Sequence, residues 1–118
     1  LGGAPRNNIG RLNADGSPDL DFDPGASLWP YSLVEQPDGK LLVGGMFSTL
    51  GGETRRYIGR LNANGSLDTA FNPGAKDYVL ALALQEGGEI VVGGLFTELG
   101  GQPCDFIGRL SPDGAFMD

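Results

Sequence analysis

Histidine is absent from the sequence and cysteine occurs once, at Cys104. Without histidine the commonest general base and the commonest transition-metal ligand are both missing. A single cysteine excludes an intrachain disulfide, and a thiolate zinc site would need other chains. Basic residues are few: 8 Lys and Arg face 15 Asp and Glu, for a formal charge of -7. With no basic run, neither nucleic acid nor an anionic membrane is an expected partner. No stretch approaches the ~18 consecutive apolar residues of a spanning helix, so membrane insertion is not expected. No charged-then-apolar leader opens the sequence, and Leu1 falls inside a repeat, which reads as a processed or partial chain.

Glycine, by contrast, is abundant, at 21 of 118 residues, with 8 prolines. Such a composition without a period would suggest disorder. Here there is a period. Leu1-Gly2-Gly3 returns at Leu50 and at Leu99, and Ile9-Gly10-Arg11-Leu12 returns at Ile58 and at Ile107. Val43-Gly44-Gly45 followed by Phe47 returns as Val92-Gly93-Gly94 followed by Phe96, and Phe22 with Pro24-Gly25-Ala26 returns from Phe71. The spacing is 49 residues throughout, and residues 1–49 match 50–98 at 24 of 49 positions. The chain therefore reads as one segment, 1–118, made of repeats 1–49 and 50–98 and a partial repeat 99–118.

Each repeat holds four β-prone runs. In Tyr78–Leu84 the leucines at 80, 82 and 84 share one face and Ala81 and Ala83 the other, so the first run is apolar on both sides and is expected innermost. A turn at Pro37-Asp38-Gly39, or Glu86-Gly87-Gly88, leads to a β-branched second run closed by a glycine pair, which signals a bulge or close sheet-to-sheet approach. The third run, Phe106–Leu110, ends in Asn13-Ala14-Asp15-Gly16 or its counterparts, where Asp-Gly and Asn-Gly predict type I′ hairpin turns. The fourth, Leu67–Phe71, is short and polar, as an outer edge strand should be. Four antiparallel strands at this period, with no 3.6-residue periodicity, predict an all-β protein of propeller blades.

The glycine pair after a Val-rich strand resembles the kelch blade, although the Tyr and Trp that kelch places downstream are missing. The fuller pattern resembles the bacterial delta-60 repeat propellers over essentially the whole chain. It comprises Leu-Ala-Leu-Gln, Pro-Asp-Gly-Lys, Leu-Leu-Val-Gly-Gly-x-Phe, Ile-Gly-Arg-Leu-Asn-Ala-Asp-Gly-Ser and Phe-Asn-Pro-Gly. Two departures are Glu86-Gly87 in place of Pro-Asp and Ser111-Pro112 in place of Asn-Ala. The resemblance implies a blade fold and an extracellular or bacterial cell-surface setting, with no general biochemical activity attached.

Propellers close with roughly four to eight blades. Completion by copies of itself, or by further blades of a longer chain, is therefore expected; about three chains of two blades each would make a ring of about six. Alternation places the first-to-second and third-to-fourth turns on one rim. The other rim holds the second-to-third loop and the blade-to-blade connection, where the repeats differ most. Asn7, Asn8, Arg55, Arg56, Asp77, Trp29, Tyr31 and Tyr78 all fall there, a set suited to stacking on and hydrogen bonding with a glycan or protein ligand. The plainer reading of Trp29 is a wedge between blades. Arg11 and Arg60 are read as partners of Asp19 and Asp68 on the adjoining strand. The spacing of Asp15, Asp19, Asp21 and Asp23 does not match a calcium loop. No serine, threonine or cysteine has a base partner, and the Leu-Gly-Gly motif is not a phosphate loop. The expectation is a non-catalytic scaffold without cofactor or metal. The alternatives are a lectin-like protein with one aromatic pocket per blade, and an engineered or partial chain without a ligand.

Overall fold

A computed structural model describes residues 1–117. The strands are β1 (Pro30–Glu35), β2 (Leu41–Gly45), β3 (Thr49–Leu50), β4 (Glu53–Thr54), β5 (Ile58–Leu61), β6 (Val79–Leu84), β7 (Ile90–Gly94), β8 (Glu98–Leu99), β9 (Gln102–Pro103), β10 (Ile107–Leu110) and β11 (Phe116–Met117). All pairing within the sheets is antiparallel. One sheet has the order β1-β2-β5, the next β11-β10-β7-β6, and β3-β4 and β8-β9 are small hairpins beside them. The chain is all-β, as the alternation predicted, and β6 lies at one end of its sheet.

The fourth strand is as slight as expected. In the first sheet it shrinks to one bridge, Leu61 to Leu67, where the second has β11. Residues 1–29 contribute only the outer half of such a unit, with an internal bridge from Leu12 to Pro18 and another from Ala26 to Leu50.

The hairpin turns correct one expectation. Gly16, Gly39 and Gly65 have positive φ, but Asp15, Asp38 and Asn64 before them do not, so these are not type I′ turns. Gly39 N donates to Gln36 O at 2.9 Å and Gln36 N to Lys40 O at 2.8 Å, a type I turn followed by a left-handed glycine. The aspartate serves that geometry, since Asp38 Oδ1 accepts from Lys40 N at 3.0 Å.

The glycine pair has two jobs. A Cβ on Gly45 would lie 2.3 Å from Trp29 O, where β1 bulges between Pro30 and Ser32, and one on Gly94 would lie 2.2 Å from Tyr78 O. A Cβ on Gly44 would instead lie 2.5 Å from Val79 Cγ1, on the facing sheet. The second glycine admits the bulge and the first admits the neighbouring sheet.

That neighbour packs through β6 on β1, where Ser32 Oγ accepts from Leu82 N at 3.2 Å. The core between the sheets gathers Leu42, Ile58, Phe71, Val79, Val92, Phe96 and Leu110. A second cluster joins Ile9, Phe22 and Ala26 of the N-terminal half-unit to Val43, Phe47, Leu50 and Leu61. Each buried phenylalanine contributes ~1.5–3 kcal/mol relative to exposure. Phe22 and Phe71 each reach over a turn glycine of the following unit, Gly65 and Gly114, which leaves room for the ring.

The repeated arginine is part of this architecture. Arg11 Nε donates to Asp19 Oδ2 at 3.0 Å and Arg60 Nε to Asp68 Oδ2 at 2.8 Å. Each guanidinium lies over a ring, 4.3 Å from the Phe22 centroid and 4.4 Å from that of Phe71. Each also donates across to the following unit, Arg11 to Ala63 O and Arg60 to Pro112 O.

Candidate functional site

The rim that carries the variable loops is laced by backbone bonds, and the lacing is the same in both units. Ala26 N donates to Asn7 O at 2.9 Å, Ser27 N to Thr49 O at 3.1 Å and Gly51 N to Gly25 O at 2.9 Å. One repeat on, Ala75 N donates to Arg56 O at 3.0 Å, Lys76 N to Glu98 O at 3.0 Å and Gly100 N to Gly74 O at 2.9 Å. The connection between units is thus stitched to the second-to-third loops on either side of it, which brings the expected segments together.

In the first unit this frame surrounds a groove of about 450 Å³ lined by Asn7, Asn8, Pro24 to Ser27, Thr49 and Gly52. Asn8 adopts φ 70° and its Nδ2 donates to Ala26 O at 2.8 Å, so its amide is committed to holding the loop. Asn7 is exposed at the groove. Ser27 Oγ accepts from Ser48 N at 3.0 Å and from Thr49 N at 3.1 Å, which fixes the far wall. The lining is largely amide, hydroxyl and backbone, the chemistry that hydrogen-bonds a polar, uncharged ligand.

The other candidate residues separate. Trp29 is 59% exposed, so it does not wedge between units. Its backbone occupies the bulge, with Trp29 O accepting from Met46 N at 2.9 Å, and that leaves the ring outside. Tyr31 is exposed on β1 with its hydroxyl 2.9 Å from Met46 Sδ. Tyr78 takes the backbone position of Trp29, accepting from Leu95 N, but it is half-buried and packs edge-on against Tyr57, 5.5 Å between centroids and 73° between planes. Asn8 stands where Tyr57 would be in the first unit, so Trp29 lacks the matching ring partner. Asp77 Oδ1 accepts from Tyr78 N at 2.7 Å and shapes the connection.

Arg55 and Arg56 are adjacent but go opposite ways. Arg56 is exposed beside Gly74. Arg55 is only 7% exposed, which corrects its assignment as a ligand contact. Its stem lies alongside Gly59, whose missing Cβ makes room chiefly for Leu50, and its guanidinium donates to Thr54 O at 2.7 Å and to Thr69 O at 3.5 Å. Arg6 braces the earlier unit in the same way through Phe22 O at 3.0 Å. Cys104 takes that place on Gly108, donating to Ile107 O at 2.9 Å.

Ser27 and Tyr57 were not singled out by sequence. Tyr57 has φ 69°, and the only hint was that Asn, which tolerates such a backbone, stands at the aligned position 8.

The opposite rim is bound up with itself. Asp15 Oδ1 accepts from Ser17 N and Oγ, and those bonds hold its carboxyl below the usual range; Ser111 does the same for Asp113. Among the described residues, no group of three or more acidic or thiol side chains is placed to hold a metal ion.

A family model described as a domain of unknown function (DUF5122) beta-propeller matches residues 1–22, 36–71 and 85–116. The chain belongs to this family. The stretches between the matched blocks of this DUF5122 propeller chain, 23–35 and 72–84, hold the unit connections and β1 and β6. They carry Trp29, Tyr31, Asp77 and Tyr78. No curated protein and no solved structure matches the chain significantly.

Proposed function

We propose that the chain is a non-catalytic propeller segment of the delta-60 type, built from kelch-like four-stranded blades. Its groove beside Asn7, Ser27 and Thr49 receives a protein or glycan ligand, with the exposed Trp29 two residues beyond Ser27 in the chain. The observation that carries this is the rim frame itself. Two sets of loops share one pattern of backbone bonds while their side chains differ, Asn7 against Arg56, Ser27 against Lys76 and Thr49 against Glu98. Such an arrangement keeps the scaffold constant and lets recognition vary. Rigid scaffolds bearing divergent loops are where binding residues concentrate.

An extracellular or bacterial cell-surface setting fits this reading, with the ring completed by copies of the chain or by further blades. The lectin-like alternative, one aromatic pocket per blade, is less well supported because Trp29 is exposed whereas Tyr78 is half-buried against Tyr57. Recognition on this rim is asymmetric, centred on the first unit.

Trp29 is the sole tryptophan and follows the groove residue Ser27 by two positions, so its emission serves as a nearby reporter. Titration with a panel of neutral oligosaccharides and extended peptides should give a saturable shift that Asn7→Ala weakens about tenfold, the loss of ~1.4 kcal/mol. A shift indifferent to Asn7→Ala, or none across the panel, would sink the reading.

A further inference from the structure

The two units share one rim frame but differ in charge on it. Where the first has Asn7, Ser27 and Thr49 around a neutral groove, the second has Arg56, Lys76 and Glu98. This second rim lies where β5 leads into β6. Among the described residues the other basic side chains are engaged. Arg6, Arg11, Lys40, Arg60 and Lys76 face carboxylates, Arg55 donates to two carbonyls, and Arg109 is not free. Arg56 alone has neither a hydrogen bond nor an ion pair, although acidic residues outnumber basic ones by 15 to 8. It is exposed, with Nε 3.8 Å from where a Cβ on Gly74 would stand. Two residues on, the Lys76 side chain is 61% exposed, and its Nζ is 3.4 Å from Glu98 Oε2. That is longer than the ~2.7–2.9 Å of a tight charged bond, so the pair is loose. The other carboxylate at this connection, Asp77, is taken up by Tyr78 N at 2.7 Å. Tyr57 and Tyr78 meet edge-on beside Arg56, and neither hydroxyl has a hydrogen-bond partner among the described residues.

We propose that the second unit's rim is a separate binding site, for a saccharide that carries a carboxylate, as a uronate residue does. Arg56 receives the carboxylate on its planar fork, and Lys76 turns from Glu98 to share it. Tyr57 and Tyr78 offer the sugar ring surface and hydroxyls. A saccharide fits this place better than an acidic peptide, because a peptide adding along the rim needs free main-chain groups. Those of the frame are spent: Ala75 N, Lys76 N and Gly100 N donate to Arg56 O, Glu98 O and Gly74 O. Glu98 sets the selectivity. While it holds Lys76 it also repels an anion, so the ligand has to displace it. The site shares no side chain with the groove of the first unit, so either can fail without the other.

The test is isothermal titration calorimetry of the 118-residue chain with trigalacturonate, its fully methyl-esterified form and tetra-aspartate. Saturable binding of trigalacturonate is expected, with the ester and Arg56→Gln each weakening it about tenfold. Arg56 is exposed and unbonded, so its replacement does not threaten the fold. Glu98→Gln frees Lys76 and should tighten binding about threefold, whereas Glu86→Gln, the same change of charge in the exposed β6-β7 turn on the opposite rim, should not. Asn7→Ala should leave binding unchanged. No binding up to the solubility limit, equal binding of the ester, or indifference to Arg56→Gln overturns the proposal. So does loss of binding in Asn7→Ala, which would place the sugar in the first groove, or equal tightening by both glutamate changes, which would reduce the effect to net charge. Tighter binding of tetra-aspartate than of trigalacturonate would make the ligand an acidic peptide and overturn it as well.

Discussion

The N-terminal half-unit and the unit one repeat later use the same Arg and Asp, yet the two pairs are not equivalent. The Arg11 and Asp19 side chains are 38% and 22% exposed, those of Arg60 and Asp68 only 9% and 10%. Lys40, just before β2, adds a third charge to the second pair, its Nζ 3.0 Å from Asp68 Oδ2. Among the described residues the first pair has no inner hairpin beside it to do this. The residues set the pairing, and what lies next to them sets its weight.

Breaking the pairs should show that difference at its largest. Asp68→Ala leaves a buried guanidinium uncompensated and should cost about 3 kcal/mol, whereas Asp19→Ala, at a wetter pair, should cost under about 1 kcal/mol. Denaturant unfolding of the two variants measures both, and equal losses would erase the distinction. The same carboxylate gives a pH dependence. Burial pushes the Asp68 carboxyl up, but hydrogen bonds and charge from Lys40 and Arg60 outweigh it and hold the group below its ordinary 3.8. A folded value below the unfolded one contributes stability above the unfolded pKa and loses it as pH falls through the folded value. Asp68→Asn should therefore flatten the part of the acid-side decline that lies below about pH 4. Asp15 and Asp113 titrate in the same window, so the difference between wild type and variant, not either curve alone, is the measurement.

A second contrast separates covered from open sheet faces. Gly44 and Gly93 are one repeat apart, but Gly44 faces Val79 of the neighbouring sheet while a Cβ on Gly93 would meet nothing closer than 3.9 Å. Gly44→Ala should lose about 2 kcal/mol through overpacking. Gly93→Ala should stay within about 0.5 kcal/mol. Comparable thermal shifts would mean that the two faces are equally covered in solution, through association on the far side of β6 and β7.

The blade pattern was legible because it depends on short-range signals: alternation in β6, turn glycines, and the Ile-Gly-Arg-Leu strand facing an aspartate. Even there the turn type was misread. Asp-Gly suggests two left-handed residues, but Pro37 and Asp38 keep negative φ and a single glycine completes the turn. The rim was legible as a place and not as a set of contacts. Arg55 and Arg56 look alike in sequence, and only the fold shows that Arg55 finds the Thr54 and Thr69 carbonyls on the inner side. Trp29 and Tyr78 share a backbone position, and their exposure is decided by the residue across from them, Asn8 or Tyr57. Burial at a repeated position is a property of its neighbours, which a repeat alone does not encode.

The smallest effect concerns that same position. Asn8, Tyr57 and Phe106 all adopt φ near 70°, a region costly for most side chains and mild for Asn. Tyr57 has compensation in its edge-on contact with Tyr78, of the order of ~0.5–1.5 kcal/mol. Phe106 is exposed and has no such ring contact among the described residues. Phe106→Asn should therefore stabilise the chain by about 1 kcal/mol, relieving the backbone at little cost in burial. Tyr57→Asn should be close to neutral, because the relief is cancelled by the lost aromatic pair. Thermal unfolding of the two variants distinguishes them. If both substitutions stabilise equally, the Tyr57–Tyr78 contact carries no net energy, and the second unit's rim owes its shape to the backbone bonds rather than to that ring pair.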